Sequence, residues 1–170
     1  MNQAFAGWQE VAERLKVAAE AGMGSARLNE GQCASLLSIA RRLPKNGVLI
    51  GDEVGMGKTR IATEVVRAVA ASGGRVAIVV PPGLPFQWKA ELMEAKIEDT
   101  PILRSLRQFI LGWDSDPGTK PWFEQHVVVV SHAFANWRLG ARSEAWRWGL
   151  LPELYAQWYL RRSGKLPYGY

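Results

Sequence analysis

Residues 51–59 read Gly51-Asp52-Glu53-Val54-Gly55-Met56-Gly57-Lys58-Thr59. Glycines followed by a lysine and a threonine suit one task, the holding of a concentrated negative charge. Backbone N–H groups converge on an anion only where the chain curls tightly, and Gly55 and Gly57 permit the curl because they lack a Cβ. A helix starting near Lys58 adds the positive end of its dipole. The lysine ammonium can reach β- and γ-phosphates, and the Thr59 hydroxyl can ligate magnesium. The expectation is a site for ATP with Mg2+, with Lys58 and Thr59 as catalytic residues and Thr59 as the magnesium ligand.

The common spacing Gly-x4-Gly-Lys-Ser/Thr puts its first glycine at position 52, which is Asp52, while Gly51 comes one residue early. Asp-Glu-x-Gly-x-Gly-Lys-Thr over residues 52–59 resembles motif I of the Swi/Snf-type ATPases, within the superfamily-two helicases and translocases and so a relative of the DEAD/DEAH-box helicases. Three other stretches resemble the same proteins. Gln32 lies 26 residues before Lys58, where the resemblance implies a glutamine that reads adenine. Residues 79–92, Val-Val-Pro-Pro-Gly-Leu-Pro-Phe-Gln-Trp-Lys-Ala-Glu-Leu, resemble the motif Ia region. Residues 127–132, Val-Val-Val-Val-Ser-His, resemble a later strand that ends in a Thr-Tyr-like pair. The resemblance covers roughly residues 28–135. It implies nucleotide contacts by Gln32, Asp52, Glu53, Val54, Gly55, Met56, Gly57, Lys58, Thr59 and Arg60. It also implies nucleic-acid contacts by Pro82, Gly83, Ser131 and His132.

Plainer roles stand beside these. Gln32 follows Asn29 by three residues and can close a capping box. Gln87 and Trp88 suit ordinary helix packing, Pro81 and Pro82 can simply terminate a strand, and Ser131 and His132 can end a strand without touching nucleic acid. A metal role for His132 is not expected, because no Cys or His cluster surrounds it.

The elements that must position these residues are legible as periodicity. Phe5, Trp8, Val11, Ala12, Leu15 and Ala18 recur at helical spacing, and Gly22 to Ser25 ends that helix. Asn29 is an N-cap for a second helix carrying Leu36, Leu37, Ala40 and Leu43 on one face. After the Pro44–Gly47 turn, the short apolar run Val48-Leu49-Ile50 reads as a strand leading straight into the glycine-rich loop. A helix from Lys58 turns Ile61, Ala62, Val65, Val66 and Val69 to a core, and Ser72-Gly73-Gly74 breaks it. Strands are expected at 75–80, 102–103 and 126–130, helices at 85–95 and 105–111, and a polar loop at 114–121. Short, wholly apolar strands separated by helices describe a buried parallel sheet. The expected fold is therefore α/β, an incomplete RecA-like P-loop NTPase lobe with an N-terminal helical extension. Its parts are the extension at 1–27, the partial lobe at 28–135, and a helical Trp- and Arg-rich segment at 136–170.

Of the 170 residues 48% are hydrophobic and 22% charged, which suits one domain with a proper core rather than a disordered chain. The single cysteine, Cys33, cannot form an internal disulfide; a cytoplasmic setting and a buried, hydrophobe-like role are expected. No segment has the apolar length to span a membrane, so no membrane partner is expected, and the N-terminus does not read as a signal peptide. The net charge is +5, of which +4 arises from residue 138 onward, from six basic and two acidic residues. There Arg138, Arg142, Trp146, Trp148, Trp158, Arg161 and Arg162 alternate aromatic and basic character. They describe either a nucleic-acid surface or, as the preferred reading, helices burying tryptophan and leaving arginine in solvent.

Hydrolysis in this class needs a second acidic motif after a later apolar strand, to hold magnesium and orient water. The only apolar run followed by Asp-Glu is 48–53 itself, and the run at 127–130 ends in Ser-His. The chain is accordingly expected to be the ATP-binding opening part of a longer DNA-dependent ATPase or translocase. Its partners would be nucleic acid, double-stranded DNA first, and a second lobe in the same polypeptide. By itself the chain would hydrolyse little or none. The alternatives are a small P-loop kinase and a nucleotide-binding interaction module without hydrolysis.

Overall fold

The computed structural model describes residues 4–23, 28–51, 53, 55–111, 120–136 and 147–169. Its contacts divide the chain into two compact units, residues 1–77 with 86–100 and residues 78–85 with 101–170.

The first unit is helical. Helix α1, Trp8–Gly22, buries Val11, Ala12, Leu15 and Ala19, one stripe at intervals of three to four. The buried position is Ala19 rather than the expected Ala18, while Phe5 and Trp8 remain 41% and 46% exposed and meet edge to face at 5.3 Å. Helix α2, Glu30–Arg42, starts at Asn29, places Glu30 in its first turn and ends with Arg41 and Arg42, charges that suit both ends of the helix dipole. Cys33, Leu36, Ile39 and Ala40 form its buried stripe, so Cys33 is a core residue as expected. Helix α3, Lys58–Ala71, adds Ile61, Ala68 and Val69 to the same core. Val65 is only half-buried.

Val48-Leu49-Ile50 does not form the strand that its composition suggests. Val48 and Ile50 pack against the helical core while Leu49 is 94% exposed. The backbone thus keeps the alternation of an extended chain, but it pairs with no strand among the described residues. Three apolar residues supply a face for burial; a strand also needs a neighbouring strand to take its N–H and C=O groups.

Helix α4, Pro85–Glu94, buries Leu92 and leaves Phe86 exposed. Its end is a Schellman motif. Ile97 N–H donates to the Leu92 carbonyl and Lys96 N–H to the Met93 carbonyl, both at 2.9 Å, with Lys96 at φ 61° where glycine usually sits.

The second unit is built on a three-stranded parallel sheet flanked by helices. Its strands are β1 (Val76–Val80, whose first two residues belong to the first unit), β2 (Ile102–Leu103) and β3 (Val127–Ser131), in the order β1-β3-β2. Ile102 pairs with Val129 and Leu103 with Val130. The sheet is less buried than wholly apolar strands imply. Ile78 and Val80 are covered, but Val79 between them is 64% exposed, so β1 behaves as an edge strand with one open face. On β3, Val127, Val129 and Ser131 are buried, and Val128 and Val130 turn to a cluster of Leu103, Phe109 and Phe134.

Helix α5, Leu106–Leu111, carries Phe109, whose ring lies 5.1 Å from Trp122 and 5.3 Å from Phe134 on α6, His132–Asn136. The Trp122 indole N–H donates to the Phe109 carbonyl at 2.9 Å, which satisfies a donor that burial would otherwise strand. Helix α7, Leu151–Ser163, docks on this cluster through Leu154, next to Leu150, and ends at Gly164 in the left-handed region. The expected polar loop at 114–121 lies outside the described residues except for Lys120 and Pro121. No described helix is long and apolar enough to cross a membrane.

Candidate nucleotide site

The loop before α3 takes its shape from two glycines. Gly55 has φ 91° and Gly57, the N-cap of α3, has φ 75° and ψ 32°. Side-chain-bearing residues occupy this region only at a cost of ~1–2 kcal/mol. Gly57 is constrained twice, because a Cβ built there would overlap the Gln32 amide. Glycine is therefore needed at 57 for the turn, and a side chain there would displace the Gln32 amide from its present bonds.

Gln32 joins two pieces of structure. Its backbone N–H donates to Asn29 Oδ1 at 2.9 Å, and its Oε1 accepts from the Asn29 N–H at 3.1 Å, the reciprocal bonds of a capping box. Its Nε2 donates across 24 residues to the Met56 carbonyl at 3.4 Å, a long bond. The side chain is 8% exposed. A primary amide has two N–H hydrogens and two oxygen lone pairs, and these bonds use one of each. Capping α2 and presenting a hydrogen-bonding edge to a base are thus compatible roles for this one group.

Lys58 lies at the first position of α3, half-exposed, and its ammonium folds back to donate to the Glu53 carbonyl at 2.6 Å. That bond holds a positive charge over the five-residue span from 53 to 58. Thr59 is half-exposed in the same first turn, and Thr63 Oγ1 donates to the Thr59 carbonyl at 2.8 Å. Arg60 N–H donates to the Gly57 carbonyl at 3.0 Å, and its side chain is exposed. Glu53 and Met56 are exposed as well. Asp52 and Val54, expected to contact nucleotide, lie outside the described residues. The loop residues that are described and Gln32 belong to the first unit.

The expected nucleic-acid residues belong to the second unit. Pro82 and Gly83 follow β1, and Ser131 and His132 end β3, so all four lie at the carboxyl ends of neighbouring parallel strands. Pro82, Gly83 and His132 are exposed; Ser131 is 2% exposed, so its hydroxyl faces protein. Gln87 is exposed and Trp88 half-buried on α4.

One feature of α3 was missed in the sequence. Glu64, with its side chain 1% exposed, is paired with Arg67 at 2.5 Å. Its signal was an acid and a base three residues apart on a helix. The pair lines a groove of about 560 Å³ between α1 and α3, where Glu10 and Arg14 also pair at 2.9 Å.

No family model, curated protein or solved structure matches this chain.

Proposed function

We propose that this chain is the ATP-binding first part of a RecA-like motor lobe, of the Swi/Snf type within the helicase superfamily, whose nucleotide cycle drives movement on DNA. The observation that carries the reading is the packing of the Gln32 amide over Gly57 and against the Met56 carbonyl. It joins the residue expected to read a base to the loop expected to hold phosphates, inside one unit.

The residues present fit a magnesium-bound nucleoside triphosphate. Gly55 and Gly57 give the loop its curl, the start of α3 supplies N–H groups and dipole, and Lys58 supplies the cation. When bound, the magnesium ion neutralises phosphate charge, and Thr59 is the residue to hold it. Lys58 exchanges its bond to the Glu53 carbonyl for a phosphate oxygen, a stronger charge-assisted partner. Orientation of an attacking water needs an acidic side chain, and β3, which ends in Ser131-His132, offers none there. The chain therefore binds nucleotide and turns it over very slowly; DNA-driven hydrolysis belongs to a longer polypeptide.

The same end of β3 favours a second reading, a nucleotide-binding module that never hydrolyses. ATP turnover with and without duplex DNA, using Lys58→Ala as control, tests the account. Lys58-independent, negligible turnover of this chain is expected. Robust turnover lost in Lys58→Ala would show that the catalytic acid lies within residues 1–170. Where the full coding region continues past residue 170, an acidic pair after a further apolar strand separates the motor from the module.

A further inference from the structure

The end of α2 gathers three cations with no acid near them in the sequence. Arg41 and Arg42 lie in its last turn, and Lys45 follows just past Leu43. The chain keeps turning there, because the Lys45 and Asn46 N–H groups both donate to the Arg42 carbonyl at 3.0 Å. Lys45 therefore returns to the side of Arg41 and Arg42, four and three residues earlier. All three side chains are exposed. Residues 31–51, all described, hold these three bases and no acid. On α1, by contrast, Arg14 pairs with Glu10 at 2.9 Å and Lys16 with Glu13 at 2.7 Å. Arg41, Arg42 and Lys45 form no such pair among the described residues. The negative end of the helix dipole suits cations at this place, but it leaves two guanidinium forks and an ammonium turned to solvent. The expected nucleotide site is at the other end of the helix, since Arg42 lies about 15 Å along α2 from Gln32.

We propose that the end of α2 is a docking surface for the backbone of double-stranded DNA, with Arg41, Arg42 and Lys45 as phosphate ligands, resting on the reading that the chain's partner is DNA. Charge complementarity favours the occupant, because three cations without an acid over residues 31–51 meet a duplex that carries one negative charge per ~1.7 Å of its axis. Each guanidinium matches two phosphate oxygens at once. Residues three and four apart on a helical turn have Cβ atoms ~5–6 Å from one another, so their long side chains can engage neighbouring phosphates of one strand. Duplex is favoured over single strand by composition. Residues 31–51 include no aromatic side chain, so this segment offers an unpaired base no ring to stack on.

The test is the salt dependence of binding to a short fluorescein-labelled duplex, measured on the full chain. Each phosphate neutralised contributes ~0.9 to the slope of log affinity against log salt. Arg41→Ala with Arg42→Ala and Lys45→Ala is expected to lower the slope by about 2–3, whereas Arg41→Lys with Arg42→Lys keeps it. Arg14→Ala with Lys16→Ala, which removes two cations already paired with acids, is expected to leave the slope unchanged. An unchanged slope in the triple alanine variant overturns the proposal and leaves the DNA reading intact. An equal loss per charge in the Arg14 and Lys16 variant also overturns it, since the slope would then follow net charge rather than this surface. A lysine pair that loses slope overturns it as well, because its charge is retained. No duplex binding by the wild-type chain overturns both the proposal and the DNA reading. Tighter binding to a single strand of the same length, or to anionic phospholipid vesicles, with loss of that binding in the triple alanine variant, overturns the assignment to duplex DNA.

Discussion

Gln32 Nε2 reaches the Met56 carbonyl at 3.4 Å and covers the α-carbon of Gly57. The start of α2 and the start of α3 are thereby linked through one amide, and the expected nucleotide site inherits its shape from that link.

Gly57→Ala is expected to destabilise the chain by about 1–2 kcal/mol from its backbone conformation alone. Overlap with Gln32 adds to this, so the penalty should be about 1 kcal/mol smaller when Gln32→Ala is also present. Urea unfolding of the two single variants and the double variant checks this. Strict additivity would mean that the amide does not press on residue 57.

Gln32→Ala removes half of the capping box and should cost about 1 kcal/mol of stability. Under the proposed function it also weakens adenine nucleotides more than inorganic triphosphate. A purely structural glutamine would weaken both equally, or neither, in competition binding.

Lys96→Gly is expected to stabilise the chain by about 1 kcal/mol, since glycine occupies the left-handed position of a Schellman motif without strain. A raised thermal midpoint supports this; a lowered one would show that the Lys96 side chain contributes more than its backbone conformation costs.

Thr100 Oγ1 is buried without a hydrogen-bond partner among the described residues. Thr100→Val keeps the shape and removes the stranded hydroxyl, so a gain of about 1 kcal/mol is expected. A loss of that size in chemical denaturation would reveal a partner for the hydroxyl.

Local signals were the legible ones. Asn29 three residues before Gln32 marks the start of α2 through bonds that close within one turn. Gly57-Lys58 marks the start of α3 in the same way, because a left-handed glycine lets the chain enter the helix abruptly. Val48–Ile50 was misread for the opposite reason. Apolar character is local, whereas a ladder depends on which strand lies alongside. The same limit applies to Val79, apolar in sequence and open to solvent at the sheet edge. In the site, residue types and spacing pointed to Gln32 and the loop separately. Their contact spans 24 residues and follows from how α2 packs on α3 in the core shared by Cys33, Leu36 and Ile61. In the tail, tryptophan count suggested burial; Trp158 is half-buried with the exposed Arg162 over its ring, and the side chains of Trp146 and Trp148 lie outside the described ones.

Whether residues 51–60 hold the phosphates of a nucleotide is decided by equilibrium binding of ATP with magnesium to the wild-type chain and to Lys58→Ala. The Lys58 ammonium bonds a carbonyl of an exposed loop, so its removal should leave the fold, read by circular dichroism, intact. Measurable binding by the wild type and at least a tenfold loss, ~1.4 kcal/mol, in Lys58→Ala are expected. Equal affinity in the two proteins, or no binding by the folded wild type, would contradict it.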